Sequence, residues 1–275
     1  MAILNNVTNI YSGSTPVSKV MVGTMQVWPG GGVSPSGWPN DTNTGYSGTL
    51  TTVGATTVST NSALFENRRV NGRLTITGNN VTGRNVHVNT GDYYGIVIQA
   101  NNVLIEDVTV EGPETAGIAV FSGYFTGRRL NVFGCEDGIR MGSGSKLYDS
   151  YVHDLTGDES SHYDSVTADG ATGWEIVHNT ILNQNTQTAC VWIGDPRYAP
   201  SEGLLQNNFL AGGGYTIYSG HSTGAGLRVL DNVFSTQYFS SSGNHGPVAY
   251  WEATNNTWSN NTWYDGPNAG QNVNP

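Results

Sequence analysis

The chain has 275 residues, of which 12% are charged, with 37 glycines and a formal net charge of −10 at pH 7. So acidic a chain lacks the basic surface that nucleic acid or an anionic membrane recruits, and it has no apolar run of about 18 residues to span a bilayer as a helix. Aromatic residues at 10% combined with low charge exclude a disordered chain and point to short strands joined by tight turns.

In chain order, residues 1–28 read as a small β module. The opening MAILNNVTNIYSG has neither a basic segment nor a long apolar core, so no secretory signal is expected. Alternating runs at residues 8–11, 17–22 and 25–28 predict short strands, with Gly23-Thr24 turning the last two into a β-hairpin. A module this small needs docking or oligomerisation for stability. Residues 29–53 form a Gly/Pro-rich linker and an entry segment.

Residues 54–266 carry a two-beat repeat. The first beat is an apolar-alternating run ending near Asn or Asp, as in VLIEDVTV, WEIVHNTI, LLQNNFL and RVLDNVF. The second is a shorter strand, often opened by glycine, as in GIVI, GIAV, GIRM and CVWI. The first beat aligns on Asn85, Asp107, Arg129, Ser150, Asn179, Asn208, Asn232 and Asn261, at intervals of twenty to thirty residues. That period predicts an all-β solenoid, a parallel β-helix of about eight coils. Asn179, Asn208, Asn232 and Asn261 are expected to bond up and down one corner, and one other corner to carry loops of varying length. Tyr250, Trp251, Trp258, Trp263 and Tyr264 crowd the last two coils and predict a terminal cap or a subunit interface, with an aromatic glycan platform as the alternative. Residues 267–275 read as a loose polar tail. Cys135 and Cys190 sit about two coils apart, too far for a disulfide, and are expected as free, partly buried thiols.

The densest polar stretch, VHDLTGDESSHYDSVTADG, supplies the candidate chemistry. His162 or Asp164 would act as general acid or base, with Asp169 or Asp137 as the second carboxylate. Strand alternation turns Arg140, Thr167 and Trp192 outward in one column, and Lys146 comes at the next corner, a set suited to sugar hydroxyls and ring faces. No cofactor is called for; a bound Ca²⁺ would fall to Asp158 and Glu159. Against these stands the plain alternative that Asp and His cap turns at coil corners.

The opening Tyr11-Ser12-Gly13, Pro16 to Val20 and Val22-Gly23 through Trp28-Pro29 resemble the first module of tail-associated proteins of actinobacterial phages. GWPNDTNTGYSGTLTTV, RRVNGRLTITGNNVTGRNVHV, SSHYDSVTADGATGWEIVHNTI and WSNNTWYDG resemble right-handed parallel β-helix proteins, pectate-lyase-like in fold, of actinobacteria and their phages. The resemblance implies a right-handed coil and a virion protein of minor-tail or surface-decoration type. It also implies docking to other virion proteins through residues 1–28, a homotrimer, and a β-helix projecting toward host-surface glycan. It does not carry lyase chemistry over: the family pattern continues Gly-Ile-Gln after the match to His162, Tyr163 and Asp164, where this chain has Ser165, Val166 and Thr167. The alternative to an adhesive virion protein is a depolymerase, lyase or hydrolase, acting on the bacterial envelope.

Overall fold

The computed structural model describes residues 35–158, 160–194, 201–220 and 226–275, together with the backbone of four short strands nearer the N-terminus. Tyr11–Ser12 pairs antiparallel with Thr15–Pro16, and Val20–Val22 with Met25–Trp28, the latter where a hairpin is expected. The turn residues 23 and 24, and most of the run at 8–11, lie outside the described residues.

The described strands between Thr51 and Trp263 form one open sheet of 21 strands, and every pairing between these strands is parallel. Among the described residues there is no helix, and hence none long and apolar enough to cross a membrane. The chain is all-β and solenoid-like. Three ladders repeat in turn: faces I, II and III. Face I stacks Val70, Val88, Val110, Val132, Val152, Ile181, Leu210 and Phe234 as successive partners. Face II stacks Leu74, Ile96, Ile118, Ile139, Val166, Val191 and Ile217. Face III stacks Leu147, Ile176, Leu205, Val229 and Trp258. All but Trp258 are buried and form one continuous core. Fully burying each such side chain is worth about 1.5–3 kcal/mol, so the core rather than any one turn holds the stack together.

Parallel pairing begins at Thr51, so the first rung takes in the end of the expected entry segment. The corner between faces III and I is the tight one. Asn67, Asn85, Asp107, Arg129, Asp149, His178, Asn207, Asp231 and Asn260 all occupy it with φ near +55°, a left-handed conformation that Asn, Asp and His tolerate best. Arg129 is the exception in type, and its guanidinium forks onto Asp107 at 2.6 and 2.9 Å. From Asn85 onward each left-handed residue is followed by one inward residue: Val86, Val108, Leu130, Ser150, Asn179, Asn208, Asn232 and Asn261. The alignment drawn from the sequence changes position after Arg129: Asn85, Asp107 and Arg129 are left-handed residues, whereas Ser150, Asn179, Asn208, Asn232 and Asn261 are the inward residues that follow Asp149, His178, Asn207, Asp231 and Asn260. Loop length varies at both remaining corners, not at one.

The inward asparagines form the expected stack. Nδ2 of Asn179, Asn208 and Asn232 each donates to Oδ1 of the next asparagine at 2.9 Å. The same Oδ1 atoms accept the backbone N–H of the residue below, and each Nδ2 also reaches a face III carbonyl, as Asn208 does Ile176. All four are buried.

Two segments cover the prism. Residues 38–47 run down face I as a strap: Trp38 stacks on His178 at 5.4 Å, Asp41 accepts from Asn131, Gly45 N–H donates to Arg129 O, and Tyr46 stacks on His87 at 4.7 Å. At the far end, the expected loose tail is instead folded back. Val273 is buried, its N–H donates to Asn261 O, its carbonyl accepts from Trp258 Nε1 at 2.7 Å, and Asn272 bridges Thr262. With Trp251 and Trp263 packed on the core, this closes the end, as the cap reading expects. A tail of polar composition is held because it satisfies the last rung's open backbone groups. Cys135 and Cys190 are free and fully buried, with burial pushing the Cys135 thiol up to about 12 and that of Cys190 up as well.

The asparagine stack gives a direct test. Asn208→Ala leaves the Asn179 N–H, the Ile176 carbonyl and an Asn232 acceptor without their partner, and we expect it to cost about 3 kcal/mol, measured as a lowered urea midpoint. Asn207→Gly, one residue earlier at the left-handed position, should be close to neutral.

Candidate functional site

Face II has an unusual outward register that builds the site. Gly95, Gly117 and Gly138 turn inward at the corner just before Ile96, Ile118 and Ile139. A Cβ on Gly138 would sit 2.3 Å from the Ser165 carbonyl oxygen and 2.4 Å from Val152 Cγ1, so no side chain fits. Two successive residues therefore face the core, and the outward positions fall three apart. Asp137 and Arg140 are such a pair, and Arg140 Nε donates to Asp137 Oδ2 at 2.8 Å.

Two outward columns result. One carries Tyr94, Ala116 and Asp137, then Asp164, Ala189 and Tyr215. The other carries Ala119, Arg140, Thr167, Trp192 and Tyr218. Arg140, Thr167 and Trp192 thus stand on adjacent rungs of one column, as strand alternation predicts. Between the columns lies a cleft of about 470 Å³, lined by Asp137, Arg140, Asp164, Thr167, Asp169 and Trp192, with Val120 and Met141.

Its electrostatics centre on two carboxyls on adjacent rungs. Asp137 is buried and accepts the Asp164 N–H at Oδ1, 3.2 Å away, besides its bond to Arg140. Burial raises its pKa despite the opposing guanidinium. Asp164 keeps some exposed surface, but its carboxyl is enclosed, with Oδ1 accepting the Ala189 N–H at 3.0 Å. Its pKa lies well above the ordinary value, first from desolvation and then from the Asp137 charge. Like charges this close favour retention of a proton. Arg140 also lies over the Tyr94 ring, 5.9 Å from its centroid.

Aromatic rings flank the acids on both sides. Trp192 and Tyr218 stack in parallel at 4.5 Å, and Tyr250 meets Tyr218 edge-on at 5.3 Å. On the other side Tyr94 meets Phe121 and Tyr93, both more than half exposed. From Tyr94 to Tyr215 the column covers five strand spacings, about 24 Å. Tyr94, Tyr215 and Tyr218 are absent from the candidates drawn from the sequence. The signal was there: aligning YGIV, AGIA, DGIR, DSVT, ACVW and YTIY puts both columns in phase.

Other candidates lie elsewhere. Lys146 sits on face III, with Nζ 2.7 Å from Glu175, which Tyr148 also bonds. His162 is exposed; its backbone N–H donates to Glu136, and it does not line the cleft. Asp158 caps its own turn, accepting the N–H and hydroxyl of Ser160 at 2.8 and 2.6 Å, and Glu159 lies outside the described residues. Among the described residues no group of three or more His, Cys, Asp and Glu is arranged to hold a metal ion. A second cleft, between the strap and face I, contains His87 bonded to Glu111 at 2.9 Å; burial lowers the His87 pKa.

No protein-family model, curated protein or solved structure matches this chain.

The acid pair makes stability depend on pH. Above the ordinary carboxylate value of 3.8, the unfolded chain releases a proton that folded Asp164 keeps. Stability therefore falls as pH rises from there through the raised folded value. Asp164→Asn keeps an acceptor for Ala189 and removes the charge. Its thermal midpoint should exceed the parent's at pH 8, with the difference shrinking toward pH 4; equal midpoints at pH 8 would mean the carboxyl is not desolvated.

Proposed function

We propose that this chain is a right-handed parallel β-helix of about eight coils that binds bacterial surface glycan through face II, as a minor-tail or surface-decoration protein of a phage virion. The observation that carries the glycan reading is the parallel Trp192–Tyr218 stack beside Asp137, Arg140 and Asp164. Flat apolar faces next to hydrogen-bonding charges are what a sugar ring requires, with C–H groups on one side and hydroxyls at the edge. The virion assignment rests on the resemblance of residues 1–28 and of the β-helix segments to phage proteins. On that reading residues 1–28 dock to other virion proteins, and the subunit works as a homotrimer.

A second reading, cleavage of the glycan, is favoured by one specific feature. Asp164 is a carboxyl poised to hold a proton beside Asp137, which is ion-paired to Arg140. Glycosidic hydrolysis uses one protonated and one ionised carboxyl, flanking the bond to be broken.

Affinity electrophoresis through gels containing envelope glycan tests both. Parent protein should be retarded. Trp192→Ala should lose about tenfold or more in affinity, as for an aromatic anchor, while Lys146→Ala on face III should be unchanged. Loss with Lys146→Ala and none with Trp192→Ala would move the site off face II. New reducing ends that disappear in Asp164→Asn would establish the hydrolase; retardation without new ends leaves a binding protein.

A further inference from the structure

Resting on the glycan reading, we infer that the face II cleft selects an uncharged glycan and rejects polyuronates. Asp137, Asp164 and Asp169 line the cleft, and the Glu136 carboxylate adds its field to the first two. Among the described residues lining it, the one cation is Arg140, whose Nε is already bonded to Asp137 at 2.8 Å. A uronate in this cleft would meet the carboxylates of Asp137 and Asp169 and the field of Glu136, and the one cation among the described lining residues, Arg140, is already ion-paired to Asp137. Hydroxyls, by contrast, complement the site. They donate to Asp169 and Asp137, accept from the Thr167 hydroxyl and the remaining Arg140 N–H groups, and leave ring faces for Trp192. The chain's overall charge of −10 acts in the same direction, repelling a polyanion before contact.

Among the described residues the cleft holds none of the bases that elimination on a uronate would use. The lining residues include neither a lysine nor a second arginine to abstract a proton, and Arg140 serves Asp137 and lies over Tyr94. An uncharged polymer needs no neutralisation, and an aromatic ring at each end of the acid pair suits its extended, weakly hydrated faces.

The experiment uses the full chain and a panel of bacterial envelope glycans, separated by anion exchange into neutral and uronate-bearing fractions. The uronate-bearing fraction is also tested after its carboxyls are reduced to hydroxymethyl groups. At low salt the neutral and carboxyl-reduced forms should bind at least tenfold more tightly than the uronate-bearing form, with the difference narrowing at 0.5 M NaCl as charges are screened. The double variant Asp164→Asn/Asp169→Asn should narrow it too. Tighter binding of the uronate-bearing form, with or without added Ca²⁺, overturns this inference and leaves glycan binding standing. Failure to bind any fraction overturns the glycan reading itself.

Discussion

A stack of parallel strands must turn a corner on every circuit, and at each corner the backbone has N–H and C=O groups that no ladder pairs. Leaving such groups buried without partners costs about 1–3 kcal/mol apiece. In this protein the corner between faces III and I solves the problem twice. Outside, a left-handed residue at every turn reverses the chain in one step. Inside, Asn179, Asn208, Asn232 and Asn261 commit their amide groups to their neighbours and to face III carbonyls. Because each asparagine needs the next one in register, the stack sets the relative height of the coils. In the four coils it spans, the outward columns inherit their alignment from that.

Face II shows what such alignment makes available. Outward residues on successive rungs sit about 4.8 Å apart, so a column behaves as a fixed comb of side chains. Inward glycines at the corner shift the outward phase, and Asp137 comes within reach of Arg140 three residues on. Aromatic rings recur above and below at intervals of one or two rungs. The geometry is rigid because it is borrowed from the core: moving Trp192 relative to Arg140 would mean breaking the pairing of Val191 with Val166 and of Val166 with Ile139.

Much of this was legible in the sequence, for definite reasons. The asparagine stack was visible because a single residue type does one job four times. The Arg140–Thr167–Trp192 column was visible because strand alternation fixes which residues face out. The equivalence of Asp149, rather than Ser150, with Arg129 was hidden because Leu130 and Ser150 occupy the inward corner without being asparagine: Ser150 Oγ accepts the Leu130 N–H as an asparagine would, but nothing in its type announces it. Lys146 comes just past the next corner, as its position in the chain suggests, but that corner turns it onto face III and away from the Arg140 column, which composition does not reveal. The folded-back tail was hidden for a related reason. Its polar residues look like solvent-exposed chain until Val273 and the Trp258 indole are seen to meet.

The acid pair runs against the logic of its surroundings. Elsewhere on the outer surface, successive rungs match charges, as Arg129 does with Asp107 and Lys146 with Glu175. On face II, Asp164 lies directly after Asp137, and both carboxyls are desolvated, so each is held at a pKa that opposes folding at neutral pH. A like-charge pair on neighbouring strands is destabilising, and an asparagine in place of Asp164 would accept the same Ala189 N–H without that cost. Turn capping explains Asp158 and leaves Asp164 unexplained. A local departure from an otherwise consistent pattern, placed between exposed aromatic rings and in an open cleft, is where a protein trades stability for chemistry.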